Sequence, residues 1–422
     1  MYAVAQDRFR QLNLRELSQL RRDVGAQEVC SRIRRGGPRH RVGPSSLRSG
    51  TYERSLNQAT NSRMDFQEHI ELAPCTTLEL GGEARYLARC RSDDDICHAL
   101  RWARDRDLPV HVLGGGSNTV FADAGYCGLV LKIESVGVSF HEDGGDTIVT
   151  GAAGEDWDGF VRQCIDRDLS GIECLSGIPG LVGATPMQNV GAYGQEVAES
   201  VVGVRAIERE TFSPRQFSGE DCRFRYRDSR FKSEDRDQFV ITEVVYRLTR
   251  NQRPVIRYSQ LAQALVDSQV DLEVLNPGRE TSVAVREEVI ALRRRKSMVL
   301  DKRDVNSRSA GSFFQNPVLD AEQIDVVRAA VRDRGGDAQD MPLYAAAGCW
   351  KIAAAWLVEQ AGFVRGERRA GVGISEHHAL ALVNYDGSSE ELLALAAEIR
   401  DRVRSCFGVE LEQEPVNVSA DG

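Results

Sequence analysis

Hydrophobic and polar positions along this chain change period several times, and each change marks an element. Behind Asp93–Asp95, the residues Ile96, Leu100 and Ala103 recur at helical spacing. This predicts an acidic-capped helix of about three turns. The apolar run 109–113 (PVHVL) reads as a short buried strand, 128–133 (GLVLKI) as the next, and 146–151 as a third. Trp157, Phe160, Val161, Cys164 and Ile165 share one helical face and read as core. Alternation predicts strands over 201–207 and 239–248, and a basic helix runs from Thr281 through Val285, Val289, Ile290 and Leu292 to Arg293–Lys296. Further helices are expected from Asp320, over 353–360, and from Ser388. The last opens with a Ser388/Glu391 capping box, buries Leu392, Leu395, Ile399 and Val403, and stops at Gly408. An extended segment, VELEQEPVNV, closes the chain.

Two stretches escape both periods. Gly114, Gly115, Gly116, Ser117 and Asn118 follow the 109–113 strand directly. A strand ending in small residues leaves backbone N–H groups for a phosphate, yet this is neither a dinucleotide fingerprint nor a P-loop. The second stretch, 171–196, places Gly at 171, 177, 180, 183, 191 and 194 around Pro179 and Pro186. Such density suits a backbone that approaches a ligand closely. Ile178, Leu181, Val182 and Val190 argue for an ordered loop, and Gln188, Asn189 and Tyr193 can hydrogen-bond a polar ring system.

Composition narrows the class. The chain has 422 residues, 41% hydrophobic and 28% charged, enough for two or three domains. No apolar run reaches membrane-span length, and nothing near Met1 resembles a signal peptide. Ten scattered Cys contain no C-x-x-C pair, and seven His form no motif, so neither a disulfide framework nor a metal site is indicated and a reduced cytoplasmic protein is expected. Thirteen Arg, no Lys and five acidic residues leave positions 1–63 at +8, so the remainder carries −17 of the net −9. Positions 33–50 read as disordered. Two readings of 1–63 stand: a basic arm for nucleic acid, or an over-extended start with Met64 as the true one, which is preferred. In an acidic protein the RFRYRDS stretch suits one anionic ligand better than nucleic acid.

Taken singly, the candidate chemistry is bland. Ser312 reads as a turn hydroxyl, Arg227 as an ion-pair partner of Asp228 or a neighbour, and Glu414 as a solvated strand residue. Their surroundings change this. The blocks TTLELGG (76–82), LGGGSN (113–118), GIPGLVG and PMQNVGAYG (177–194), RFRYRDS (223–229), SAGSFFQNP (309–317), HALALVN (378–384) and LEQE (411–414) occur in this order. Together they resemble the UDP-N-acetylenolpyruvoylglucosamine reductase family, flavoenzymes that make UDP-N-acetylmuramate for bacterial peptidoglycan.

The resemblance implies an α/β (α+β) architecture: a two-domain FAD-binding fold of the vanillyl-alcohol oxidase type plus a C-terminal α/β substrate-binding domain. Boundaries are expected at 64–134 and 135–300 for the FAD-binding parts, 301–416 for the substrate part, and 417–422 for a tail. It implies non-covalent FAD, NADPH as reductant, a nucleotide-sugar substrate, and a monomer without nucleic-acid or membrane partners. Arg227 matches the arginine that polarises the substrate carboxylate, Ser312 the proton-donating serine, and Glu414, preferred to Glu412, the glutamate that works with the arginine. FAD contacts are expected from Gly114, Gly115, Gly116, Ser117 and Asn118 for the diphosphate. Gly177, Ile178, Pro179, Gly180, Gly183, Gln188, Asn189, Gly191, Ala192, Tyr193 and Gly194 are expected around the flavin ring. Tyr226, Tyr258, Lys296, Asn316 and His378 fall on substrate positions, and some members carry Gln where His378 stands. The YSQL block around Tyr258 suggests the family's tyrosine-loop type. An oxidase of the same fold would often carry a His- or Cys-linked flavin, and no His lies in either glycine loop.

Overall fold

A computed structural model of the chain describes residues 64–346 and 348–421. The expectations for 1–63 lie outside the described residues.

The first sheet takes the order β1-β2-β5-β3, from β1 (Phe66–Glu71), β2 (Glu83–Cys90), β3 (Val110–Leu113) and β5 (Tyr126–Ile133). β2, β5 and β3 run parallel, and β1 is antiparallel at the edge. The helix Asp93–Arg104 makes the crossover from β2 to β3. Its N-cap is Ser92, one residue ahead of the acidic run, whose hydroxyl accepts from Asp95 N–H at 3.1 Å. Ile96, Ala99, Leu100 and Ala103 face the sheet, burying against Ala88, Leu129 and Leu131. The short strand β4 (Thr119–Phe121) follows the Gly114–Asn118 turn.

A second, antiparallel sheet is ordered β12-β11-β13-β7-β6, with β8 (Leu169–Ser170) beside β13. Its strands are β6 (Val138–Asp143), β7 (Asp146–Ala152), β11 (Val201–Glu208), β12 (Pro214–Ser218) and β13 (Phe239–Arg250). Two short strands, β9 (Gly191–Ala192) and β10 (Gln195–Glu196), pair within the long glycine loop. The helix Trp157–Ile165, capped by Asp156 to Gly159 N–H at 2.8 Å, turns its apolar face inward. Trp157 and Phe160 stack 5.6 Å apart against Tyr246 of β13. The polar ends of these aromatics are satisfied, Trp157 Nε1–H by the Leu175 carbonyl and the Tyr246 hydroxyl by Thr185 at 2.7 Å.

The C-terminal third adds two small sheets. One is β14 (Ser309–Ser312), β20 (Ala381–Asn384), β19 (Val372–Ile374) and β18 (Arg368–Arg369). The other is β15 (Val318–Leu319), β17 (Cys349–Ile352) and β16 (Leu343–Ala346). The helix Ser389–Phe407 begins in the expected capping box, with Ser388 Oγ accepting from Glu391 N–H at 3.1 Å. Its Leu392, Leu395, Ile399 and Val403 join one core with Phe313, Phe314, Val327 and Leu357.

One segment departs from expectation. The stretch read as a tail at 417–422 forms part of β21 (Val416–Val418), which pairs in parallel with β4 in the register Val416↔Thr119, Asn417↔Val120, Val418↔Phe121. Val418 buries with Phe121, Leu113 and Val130 of the first sheet. A parallel pairing across some 300 residues leaves no local trace that periodicity could reveal. Among the described residues, no helix is long and apolar enough to cross a membrane.

Candidate active site

A cavity of 1710 Å³ runs between the glycine loops and the C-terminal sheets. That exceeds the roughly 300–1,000 Å³ of a single-ligand site and leaves room for cofactor and substrate together.

Its floor is where the two glycine stretches meet. A Cβ on Gly115 would stand 2.9 Å from Gly180 Cα, so the loops touch backbone to backbone. Ser117 Oγ donates to the Pro179 carbonyl at 3.0 Å, and Lys132 Nζ to the Gly114 carbonyl at 2.5 Å. The N–H groups of Gly115, Gly116, Ser117 and Asn118 meet no acceptor among the described residues. Unpaired donors at a strand end, in a polar cleft, fit a diphosphate. On that ground these residues fit FAD.

Most expected cofactor residues line the cavity; Gly177 and Asn189 do not. Gly177 is gripped from behind, its N–H by Asp158 at 2.5 Å and its carbonyl by Arg293 Nε–H at 3.0 Å. Asp158 in turn is held bidentately by Arg286, at 2.6 Å for both bonds. Burial alone would raise the Asp158 carboxyl, but the bonds from Arg286 and Gly177 outweigh it and hold it below the usual range. Asn189, 1% exposed, commits its amide to Glu196, the Arg225 carbonyl and Ala198 N–H. It braces the loop from inside.

The three residues singled out for chemistry converge from distant parts of the chain. Arg225 and Asp228 exchange backbone hydrogen bonds around a two-residue turn, Tyr226–Arg227. Arg227 sits there at φ 52°, a left-handed conformation more usual for Gly or Asn. The turn aims its guanidinium inward. Nη2 donates to the Gly191 carbonyl at 2.8 Å, and Nε lies 3.4 Å from Glu414 Oε1. Asp228, the partner suspected from sequence, pairs with Arg225 and Ser233 instead. Glu414 also accepts from Gln188 Nε2–H at 2.9 Å, while Asn118 Nδ2–H reaches its backbone carbonyl at 3.2 Å. Glu412 points outward, 72% exposed.

Ser312 ends β14 at a bulge: Ser309 pairs with Val383 and Ser312 with Ala381, so β14 carries one extra residue. Gly311, at φ 71°, absorbs the bend and re-aims the serine into the cavity. His378 Nε2 lies 3.5 Å from Ser312 Oγ. Leu380 N–H donates to His378 Nδ1 at 3.3 Å, so the neutral ring carries its proton on Nε2 and donates toward the serine. Burial, reinforced by Lys296 and Arg365, lowers this imidazole to about 4 and keeps it neutral near pH 7.

The expected substrate positions line the same cavity. Tyr258 meets Tyr193 edge-on at 5.5 Å, and Lys296 Nζ donates to Gln260 Oε1 at 2.9 Å. Burial, then Arg293 and Arg295, lowers the Lys296 amine. Asn316 accepts Ala354 N–H at 2.9 Å, so half its amide caps a helix. Lys351 and Tyr344, on paired strands β17 and β16, also line the cavity and were not anticipated from sequence. Nothing local marks them; the pairing with Tyr226 and the cavity exists only in the fold.

Comparison with known proteins agrees with this architecture. Residues 303–418 match the family model described as UDP-N-acetylenolpyruvoylglucosamine reductase, C-terminal domain, and residues 84–210 match an FAD binding domain. The UDP-N-acetylenolpyruvoylglucosamine reductase of Thermobifida fusca is 44% identical over 359 residues, covering 84% of this chain and 98% of the relative. That of Streptomyces avermitilis is 41% identical over 355 residues, covering 83% and 94%. The crystal structure of the Thermus caldophilus enzyme shares the fold, with a TM-score of 0.56 at 22% identity over 84% of this chain and 99% of that one. The chain therefore belongs to the UDP-N-acetylenolpyruvoylglucosamine reductase family.

Proposed function

We propose that this protein carries out the family's reaction: NADPH-dependent, FAD-mediated reduction of UDP-N-acetylglucosamine enolpyruvate to UDP-N-acetylmuramate, with Arg227, Ser312 and Glu414 as its chemical groups. The observation that supports the residue assignment is the convergence of Arg227, Glu414 and Ser312 on one cavity. We assign 64–134 and 135–300 to the cofactor and 301–416 to the substrate, with Gly114–Asn118 holding the FAD diphosphate and the 178–194 loop the ring. FAD, when bound and reduced by NADPH, would supply the hydride for the enolpyruvyl methylene.

The protein's own groups handle the charge and the proton. An enolpyruvyl ether accepts hydride only if negative charge growing toward its carboxylate is stabilised. The Arg227 guanidinium, fixed by the Gly191 carbonyl and Glu414, is preorganised for this. Glu414, itself oriented by Gln188, holds the arginine in place. A proton must then reach the neighbouring carbon. Ser312 accepts a hydrogen bond from His378 Nε2–H, which leaves its own hydroxyl proton free to point into the cavity. A serine donates a proton only when desolvated and close, and cations around it favour that.

The test is Ser312→Ala in the FAD-loaded protein. Flavin reduction by NADPH should persist, while reoxidation by the enolpyruvyl nucleotide should fall about 10²–10⁴-fold. Unchanged reoxidation would remove Ser312 from the chemistry.

A further inference from the structure

Eight Lys and Arg side chains line the cavity, and seven have partners among the described residues. Arg227 pairs with Glu414, Arg257 with Glu199, and Arg236 with Asp237. Lys296 donates to Gln260, while Arg293, Arg209 and Lys232 donate to backbone carbonyls. Lys351 is different. Its ammonium has no carboxylate within 4.0 Å and no hydrogen-bond acceptor among the described residues; it lies 3.7 Å from the centroid of the Tyr226 ring.

Placing an amine there has a physical cost. Desolvation disfavours the charged form, and the face of one tyrosine offsets only part of it. Burial does lower the Lys351 amine, with the nearby Arg227 charge acting in the same direction against the opposing Glu196. A cation left short of an acceptor beside a second cation is arranged for an anion that the protein does not itself provide. The Tyr226 ring sets the spacing, because Arg227 Cζ stands 5.6 Å from the same centroid. The strand fixes the lysine: β17 is the middle strand of its sheet, with Lys351 opposite Val318 on one side and Tyr344 on the other.

We infer that Lys351 is a specificity-determining residue, forming with Arg227 a two-cation seat for the substrate's carboxylate beside the Tyr226 ring. This rests on the functional reading above. One cation alone would hold any nucleotide-sugar anion loosely, whereas two beside the same ring select the ligand that brings a carboxylate to that place. The diphosphate is the other anion of the same molecule, and the test separates them.

Lys351→Met keeps the length and apolar stem of the side chain over the ring and removes the charge. Binding of UDP-N-acetylglucosamine enolpyruvate and of UDP-N-acetylglucosamine, which lacks the carboxylate, is measured on the oxidised FAD-loaded protein, together with flavin reduction by NADPH. The expected result is an affinity about 10- to 100-fold weaker for the enolpyruvyl nucleotide, the loss of one charged hydrogen bond. Affinity for UDP-N-acetylglucosamine should stay at the wild-type value, flavin reduction by NADPH should still occur and so report a folded, FAD-loaded protein, and Lys351→Arg should recover most of the loss. Unchanged affinity for the enolpyruvyl nucleotide overturns the proposal. Equal weakening of both nucleotides also overturns it, assigning the amine to the diphosphate. Wild-type protein that binds neither nucleotide overturns the functional reading itself.

Discussion

Arg227 allows catalysis and stability to be pulled apart at one position. Its guanidinium holds the Gly191 carbonyl and Glu414, with side chains 21% and 15% exposed in the ion pair. On the proposed role, Arg227→Met removes a preorganised charge aimed at developing negative charge, worth about 2.7–4 kcal/mol, or 10²–10³-fold in rate. The ion pair contributes far less to the fold, about 1 kcal/mol, because it is partly solvated. The backbone supplies the second handle. At φ 52° an L-residue carries about 1–2 kcal/mol of strain that glycine avoids. Arg227→Gly should therefore lose the same catalysis as Arg227→Met while unfolding at higher urea, by about 1 kcal/mol. Anaerobic stopped-flow reoxidation by the enolpyruvyl nucleotide and urea unfolding of both variants read the two effects. A Met variant that reoxidises within tenfold of wild type refutes the charge argument. A Gly variant less stable than the Met variant refutes the strain argument.

Two other positions carry measurable consequences. Gly115→Ala places a Cβ 2.9 Å from Gly180 Cα, so the two loops must part; at about 1–3 kcal/mol for such crowding, FAD affinity measured by flavin fluorescence should fall about 5- to 150-fold, and unchanged affinity would show that the loops do not share the cofactor. His111 has its Nε2 buried without a partner among the described residues, and burial lowers the imidazole to about 4 from the ordinary 6.5. The unfolded chain thus takes up the proton first, so the contribution of neutral His111 is fully present above about pH 6.5 and is lost as pH falls toward 4. His111→Leu should flatten that decline in urea midpoints measured from pH 7 to 4.5; an unaltered slope would place the titration elsewhere.

What could be read ahead of the structure divides by range. The helix Ser389–Phe407 was legible because its signals, a capping box, a 3.6 period and a closing glycine, all lie within it. The strand-to-glycine junction at Leu113–Gly114 was legible for the same reason. The cap at Ser92 was displaced by one residue, since the Asp run behind it advertises the same dipole preference as a cap. Arg227, Ser312 and Glu414 carried no individual signal. Only the ordered blocks around them did, because the convergence spans nearly 190 residues. Lys351 had neither kind of signal: nothing within Cys-Trp-Lys-Ile marks a lysine that faces a cavity, and its ring partner lies 125 residues earlier. Asn189 illustrates the converse error. A polar residue in a ligand loop was taken to face the ligand, whereas its amide closes the loop on itself.

The pairing of β21 with β4 has a mechanical consequence. Glu414 is moored from both directions, its N–H to the Phe313 carbonyl at 2.9 Å and its own carbonyl to Asn118, with Val416 N–H held by the Asn118 carbonyl immediately after. The carboxylate is thus stitched at once to the strand that presents Ser312 and to the turn that fits the diphosphate. The proton-donor candidate, the glutamate and the proposed diphosphate turn therefore share one hydrogen-bonded seam. A substitution that loosens any one of the three is felt at the backbone of Glu414, and through its ion pair at Arg227.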